Sequence, residues 1–168
     1  MAIKLVASSK YLGKIPSNLP SQDSVPWLPV DMTASIITEL VLSNISNSHA
    51  TSTSIGLKHY NLVNPSEGSW SSLVPSIKNY FSSTNANQKL EHVSFQAWLE
   101  ALQASATQTD EVRKNPGVKI LDFYEGMNGG GDEARLETEQ TVATSRVMRD
   151  MTAVGPEWME TWLRQWGY

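Results

Sequence analysis

Two prolines on either side of a tryptophan restrict the fold of this chain more than any other feature. In Val25-Pro26-Trp27-Leu28-Pro29-Val30-Asp31 each proline fixes φ and removes a backbone donor. Val25 to Val30 therefore reads as a buried strand, held extended and either short or at a sheet edge. Asp31 stands where an apolar run, Met32 to Leu42, begins. A carboxylate at that place accepts the free N–H groups of a first helical turn and complements the positive end of the dipole. A general base is the alternative role for Asp31, and a helix cap is the expectation. Thr33, Ile36, Ile37, Leu40 and Val41 recur at three and four residues, which places them on one helix face.

The rest of the chain repeats this strand-then-helix plan. Ile3, Leu5, Val6 and Leu12 predict a first helix, stopped at Gly13 with Pro16 beyond it. Ser17 to Ser24 is a polar connection, and Ser43 to Ser54, rich in Ser, Asn and Thr, reads as a surface loop. Leu57 to Val63 reads as a second strand, ended by Asn64-Pro65. Trp70, Leu73, Val74, Ile77 and Phe81 share a helix face, and Pro75 favours a start near Ser71 or Ser72, so that it falls in the first turn. After a polar loop, Ser82 to Gln88, a third strand spans Leu90 to Val93. Ser94 caps a helix whose stripe is Phe95, Trp98, Leu99 and Leu102. Ser105 to Asn115 is a charged loop. Asn115-Pro116 opens a further helix carrying Ile120, Phe123, Tyr124 and Met127. The glycine-rich stretch 128–141 is expected to be a flexible loop. A short segment, Ser145 to Met151, leads to Gly155-Pro156-Glu157, a helix start. There Trp158, Trp162 and Trp166 form one ridge, expected to bury at least two of its three rings, with Trp162 deepest. If left bare, the ridge should drive self-association. The expectation is one α/β domain over 1–168: a small parallel sheet of about three short strands, helices packed on it, and a helical end.

Composition removes whole classes of function. The formal charge is −4 with no basic block, which argues against nucleic acid or an anionic membrane as partner. There is no cysteine, so disulfide and thiol chemistry are absent. No stretch approaches transmembrane length, and the expected location is the cytoplasm. His49, His59 and His92 lack metal-ligand spacing, so no metal is expected. No Gly-x-Ser-x-Gly elbow is present, and Gly129-Gly130-Gly131 lacks the strand before and helix after that a phosphate loop needs. No catalytic constellation emerges from the residues themselves.

Six stretches, in order, carry a resemblance: Ser8-Ser9-Lys10-Tyr11-Leu12-Gly13-Lys14-Ile15-Pro16; Trp27 to Asp31; His59-Tyr60-Asn61-Leu62-Val63-Asn64-Pro65 with Ser69-Trp70; Val93-Ser94 with Trp98-Leu99; Asn115-Pro116 with Lys119 and Leu121-Asp122-Phe123; and Pro156-Glu157-Trp158-Met159 with Trp162-Leu163-Arg164-Gln165-Trp166-Gly167. Together they resemble the carboxy-terminal, substrate-binding part of fungal thioester reductase domains. Those are extended short-chain dehydrogenases at the end of polyketide synthases and nonribosomal-peptide-synthetase-like enzymes. The resemblance implies an NADPH-dependent release of an acyl chain from a carrier protein's phosphopantetheine arm, as an aldehyde or an alcohol. It also implies a dinucleotide-binding half with a glycine turn and a Tyr-x-x-x-Lys pair. None of Tyr11, Tyr60, Tyr80, Tyr124 and Tyr168 has lysine four residues on. The chain therefore resembles the other half alone, with no catalytic residue, no cofactor of its own and the Rossmann half as a partner beside the carrier. By the same resemblance, Tyr11, Trp27, Asn64 and Trp70 are the candidates for a substrate-pocket wall. A non-catalytic docking module and an unrelated small enzyme are the competing readings.

Overall fold

Helices carry most of the chain. The computed structural model describes residues 2–48, 57–84, 89–107, 114–129 and 135–168. Among them the α-helices are α1 (Ala2–Leu12), α2 (Val30–Ser48), α3 (Trp70–Thr84), α4 (Phe95–Ala106), α5 (Leu121–Gly126), α6 (Glu139–Thr144), α7 (Arg146–Arg149) and α8 (Pro156–Gln165). The strands are β1 (Lys14–Pro16), β2 (Ser24–Val25), β3 (Gly68–Ser69) and β4 (Glu91–Val93). β1 pairs with β4 and β2 with β3. The mostly helical chain with its two-stranded parallel sheet is compatible with an α/β class. No helix among the described residues is long and apolar enough to cross a membrane. Two compact units divide the chain, one of Met1–Ser24, Ser69–Glu133 and Gly155–Tyr168, the other of Val25–Gly68 and Ala134–Val154.

In the first unit, Gly13 takes φ 67°, which lets the chain leave α1 and turn directly into β1. β1 runs parallel to β4, pairing Lys14 with Glu91, Ile15 with His92 and Pro16 with Val93. Pro16 has no amide to give, so Ser17 N donates to Val93 O at 2.8 Å instead, and Glu91 N donates to Gly13 O at 2.8 Å. The strand expected over Leu90–Val93 is present; its partner, β1, is an element that the residue pattern did not reveal. Ser94 caps α4 as expected, its hydroxyl accepting from Ala97 N at 3.2 Å. Asn115 caps a 3-10 helix over Pro116–Ile120 that leads into α5. Its second residue, Gly117, lies against α1, where an added Cβ would collide with Ser8 Oγ.

α3 begins at Trp70, one or two residues before the expected start, so Pro75 lies inside the helix rather than in its first turn. Ser69 Oγ accepts from Ser72 N at 3.2 Å, which stabilises the earlier start. α3 packs against α8, and the residues that α8 buries are Met159 and Leu163. The expectation for the tryptophan ridge is corrected here. Trp158, Trp162 and Trp166 are all half-buried. They pack along one another, with centroids 6.0 Å apart for Trp158–Trp162 and 6.4 Å for Trp162–Trp166. Met159 and Leu163 sit on the side of α8 that faces the core, and the wider indoles flank that side.

In the second unit, Ile36, Leu40 and Met148 are buried together, with Leu28, Tyr60, Leu62, Val142, Val147 and Met151 half-buried around them. Several expectations are corrected in this unit. The strand over Val25–Val30 shrinks to Ser24–Val25, because the prolines stop the ladder and α2 begins at Val30, with Thr33 N bonded to Pro29 O at 2.9 Å. Asp31 is thus the second helical residue, inside the first turn, and not the cap. The loop expected from Ser43 is helical through Ser48. Polar side chains continue the helix by bonding carbonyls one turn back, as Asn44 Nδ2 does to Leu40 O at 2.8 Å. Leu57–Val63 is not a strand, and no backbone–backbone hydrogen bond joins these residues to the rest of the described chain. Within the stretch 128–141, a 3-10 turn covers Met127–Gly129 and α6 starts at Glu139, while residues 130–134 lie outside the described residues.

Candidate functional site

Asn64 makes three side-chain hydrogen bonds within the second unit. Pro65 holds it extended, and it is 2% exposed. Its Nδ2 donates to Thr152 O at 2.9 Å and to Trp27 O at 3.3 Å, and its Oδ1 accepts from Ser66 N at 2.9 Å. Its own amide donates to Pro26 O at 3.0 Å. Ser66 Oγ adds a bond to Met151 O at 2.9 Å. One buried amide therefore joins the Pro26-Trp27 turn, the Asn64-Pro65-Ser66 turn and the Met151-Thr152 segment. Buried amides are costly unless every group is met, and here each is.

The sequence candidates fall into two pairs. Trp27 and Asn64 come together in the second unit through the bond above, and the Trp27 ring is half-buried. Tyr11 and Trp70 belong to the first unit. Trp70 is fully buried, and its indole N–H donates to Pro16 O at 2.9 Å, linking α3 to β1. Tyr11, at the end of α1, is 39% exposed. Of the histidines, His49 lies outside the described residues, while His59 and His92 are exposed. No group of three or more His, Cys, Asp or Glu among the described residues could hold a metal ion.

The residue pattern missed one electrostatic centre. Glu39, on α2, accepts from Ser145 Oγ at 2.5 Å and from Val147 N at 3.1 Å. The Ser145 hydroxyl bond, aided by the Val147 amide, holds its carboxyl below the usual carboxylate range against a smaller opposing effect of burial. Ser145 also caps α7, accepting from Met148 N at 3.1 Å. Nothing in the local sequence around Glu39 marks it, because its partners lie more than a hundred residues on. In the first unit, burial raises the pKa of the Tyr124 and Tyr168 phenols. Tyr124 OH finds no hydrogen-bond partner among the described residues, its ring seated edge-on against Trp98 at 4.9 Å. Lys10 Nζ lies 5.1 Å from the Tyr168 ring centroid and 5.6 Å from that of Phe81, an attraction between cation and ring faces.

No family profile matches the chain. Individual proteins do. A carboxylic acid reductase of Neurospora crassa is 34% identical over 170 residues, covering 98% of this chain. The citrinin polyketide synthase of Monascus ruber is 26% identical over 96% of the chain, and the adenylate-forming reductase Nps10 of Heterobasidion annosum is 28% identical over 71%. The chain spans only 15%, 6% and 10% of those three proteins. Nearly every residue thus aligns with one segment of the Neurospora reductase and of the citrinin synthase, and the chain is a homologue of that segment of large fungal reductases and synthases.

Proposed function

We propose that this chain is the substrate- and carrier-facing part of an NADPH-dependent thioester reductase that releases a carrier-bound polyketide or peptide. The observation that carries the reading is the alignment of nearly the whole chain with both reductases and polyketide synthases. In such a release the thioester carbonyl gains a hydride, the thiol of the phosphopantetheine arm leaves, and an aldehyde results; a second reduction gives the alcohol. NADPH supplies that hydride when it is bound by the rest of the reductase.

The described glycines with positive φ do not make a dinucleotide-phosphate turn. A phosphate turn needs a glycine between a strand and the start of a helix. Among the described residues the glycines with positive φ are Gly13 and Gly167, and both follow helices. The part left to the chain is to hold the acyl group and the arm in reach of the reacting carbon, which lowers the barrier by positioning. Tyr11 keeps exposed ring surface in the first unit, and Asn64 holds the turn at Trp27 in the second. A second reading, a non-catalytic docking module of the same fold, is favoured by how fully Asn64 and Trp70 are engaged within the chain.

Two measurements test the proposal. The isolated chain should neither bind NADPH in a fluorescence titration nor consume it with an acyl thioester; clear consumption would overturn the reading. Exchanged for the matching segment of the Neurospora reductase, the chain should support NADPH-dependent aldehyde formation. A folded exchanged protein that captures a carrier but forms no aldehyde would favour the docking module.

A further inference from the structure

Asn128 is followed by Gly129, and no other asparagine of the chain precedes a glycine. Asparagine is unstable before glycine for a chemical reason. The backbone nitrogen of the next residue attacks the side-chain amide carbon, and glycine has no Cβ to hold it off. The C–N bond that forms closes a cyclic imide. The C–N bond that breaks releases the side-chain nitrogen as ammonia, which takes up the proton lost by the attacking nitrogen. Water then opens the imide at either carbonyl, giving aspartate or isoaspartate. No oxidant or reductant takes part, and water is the one co-reactant. Asn64 and Asn115 are closed to this chemistry, because the proline after each has no N–H to lose.

The fold leaves Asn128 open to water and holds its side chain in check. It is exposed, in the 3-10 turn Met127–Gly129 that follows α5. Its Nδ2 donates to Gln96 Oε1 at 3.0 Å, and Gln96 Nε2 donates in turn to Glu100 Oε1 at 2.9 Å. While the first of these bonds lasts, the Asn128 amide is tied to α4. Attack by Gly129 N waits for that bond and the short turn to open. A second amide link fastens the same two elements, from Gln103 Nε2 to Glu125 Oε1 at 2.7 Å. Met127, 2% exposed, is the buried residue of the turn.

We infer that Asn128 is a site of spontaneous deamidation, guarded by Gln96, and that its conversion unfastens the Met127–Gly129 turn from α4. A carboxylate at position 128 accepts hydrogen bonds and cannot donate, so Gln96 Oε1 loses its donor. The new charge also stands three residues from Glu125, on the same side of a helical turn, where like charges repel. Isoaspartate adds a methylene to the backbone and displaces the turn further. The inference stands apart from the thioester chemistry proposed above, since it needs neither a cofactor nor a carrier.

The test follows the whole 168-residue chain by peptide mapping during incubation at neutral and at alkaline pH. The peptide holding Asn128 should gain the mass of an NH2-to-OH exchange ahead of every other asparagine. It should do so as a mixture of aspartate and isoaspartate, and faster in alkali, where base removes the Gly129 proton. Gln96→Ala should speed the conversion about two- to tenfold, the worth of one net hydrogen bond. Gln96→Glu, which keeps an acceptor, should not. Gly129→Val should slow it at least about tenfold, because a branched Cβ crowds the attacking nitrogen. Asn128→Asp should quicken amide exchange at Met127 and leave Trp98 protected. An Asn128 that stays intact while other asparagines convert would overturn the inference. So would a rate that Gln96→Ala leaves unchanged, or aspartate formed without isoaspartate, which means direct hydrolysis.

Discussion

The two units treat their buried groups differently. In the first, buried polar side chains are tied into long-range bonds: Ser8 to the amide of Gly117 at 2.7 Å, Ser9 to the indole of Trp98 at 3.1 Å, Asn115 to Ser105 at 3.1 Å. Around them Trp70, Trp98, Phe81 and Tyr124 are buried. In the second, one latch, Asn64, and one small cluster hold the segments together, while the principal helix shows a second apolar stripe to water. The first unit has a core of its own. The second has a smaller one, and the 57–63 stretch beside it lies outside any strand pairing among the described residues. The motifs shared with the large fungal proteins run through both, so the resemblance by itself does not separate a closed core from an open one.

Two tryptophan truncations place that contrast under the most strain. Trp70→Ala removes a fully buried ring and its bond to Pro16 O, and should cost about 3–5 kcal/mol. Trp162→Ala removes a half-buried ring and should cost roughly half as much, about 2 kcal/mol. Urea denaturation of both variants checks the order; a larger loss at Trp162 would restore the buried ridge that the spacing at 158, 162 and 166 suggested. In the second unit, Asn64→Ala removes the side-chain bonds to Thr152 O, Trp27 O and Ser66 N and should cost about 1–3 kcal/mol. If the latch acts only within its unit, exchange should quicken around Met151 and Thr152 while Trp98 and Tyr124 keep their protection. Uniform loosening of both units would break the contrast.

What was legible from the residues follows the same division. The apolar stripe of α4 was read correctly: Phe95, Trp98, Leu99 and Leu102 are buried, and Ser94 caps the helix. Gly13 ended α1 as its backbone freedom requires. Strands were misread where pairing rather than composition decides. Lys14–Pro16 is too short and too proline-bounded to look like a strand, yet β4 gives it a partner. Leu57–Val63 looks like one and has none among the described residues. Of the four candidates for a pocket wall, the pattern could not reveal that Asn64 and Trp70 are bonded inside the fold. Their partners, Thr152 and Pro16, lie 88 and 54 residues away.

Glu39 offers a smaller test, specific to the second unit. Its folded pKa lies below the ordinary value of 4.5 because Ser145 and Val147 bond the ionised form. The sign follows from linkage: the contribution is present above the unfolded pKa and is lost as pH falls through the lowered folded value. Below about pH 4.5 the second unit should therefore loosen before the first. Glu39→Gln, which keeps an acceptor for Ser145 and Val147 but cannot titrate, should flatten this acid limb while changing little at pH 7. Exchange at Val147 and Met148, followed from pH 7 to pH 3, checks it. An acid limb unchanged by the substitution would assign the loosening to other carboxylates.

The smallest expected effect separates two electrostatic roles for Asp31. A cap acts through a side-chain acceptor, which asparagine supplies as well as aspartate does. A residue inside the first turn acts through its charge on the helix dipole, which asparagine lacks. α2 begins at Val30 and Asp31 follows it, exposed, so the charge is what remains to act. Asp31→Asn and Asp31→Ala should then cost similar amounts, about 0.3–1 kcal/mol at low salt. Both losses should shrink as salt screens the exposed charge. Thermal denaturation of the two variants at low and high salt decides the matter. If asparagine preserved full stability while alanine lost it, and salt made no difference, the carboxylate would be acting as an acceptor after all, and the first turn of α2 would begin at Met32, two residues later than Val30.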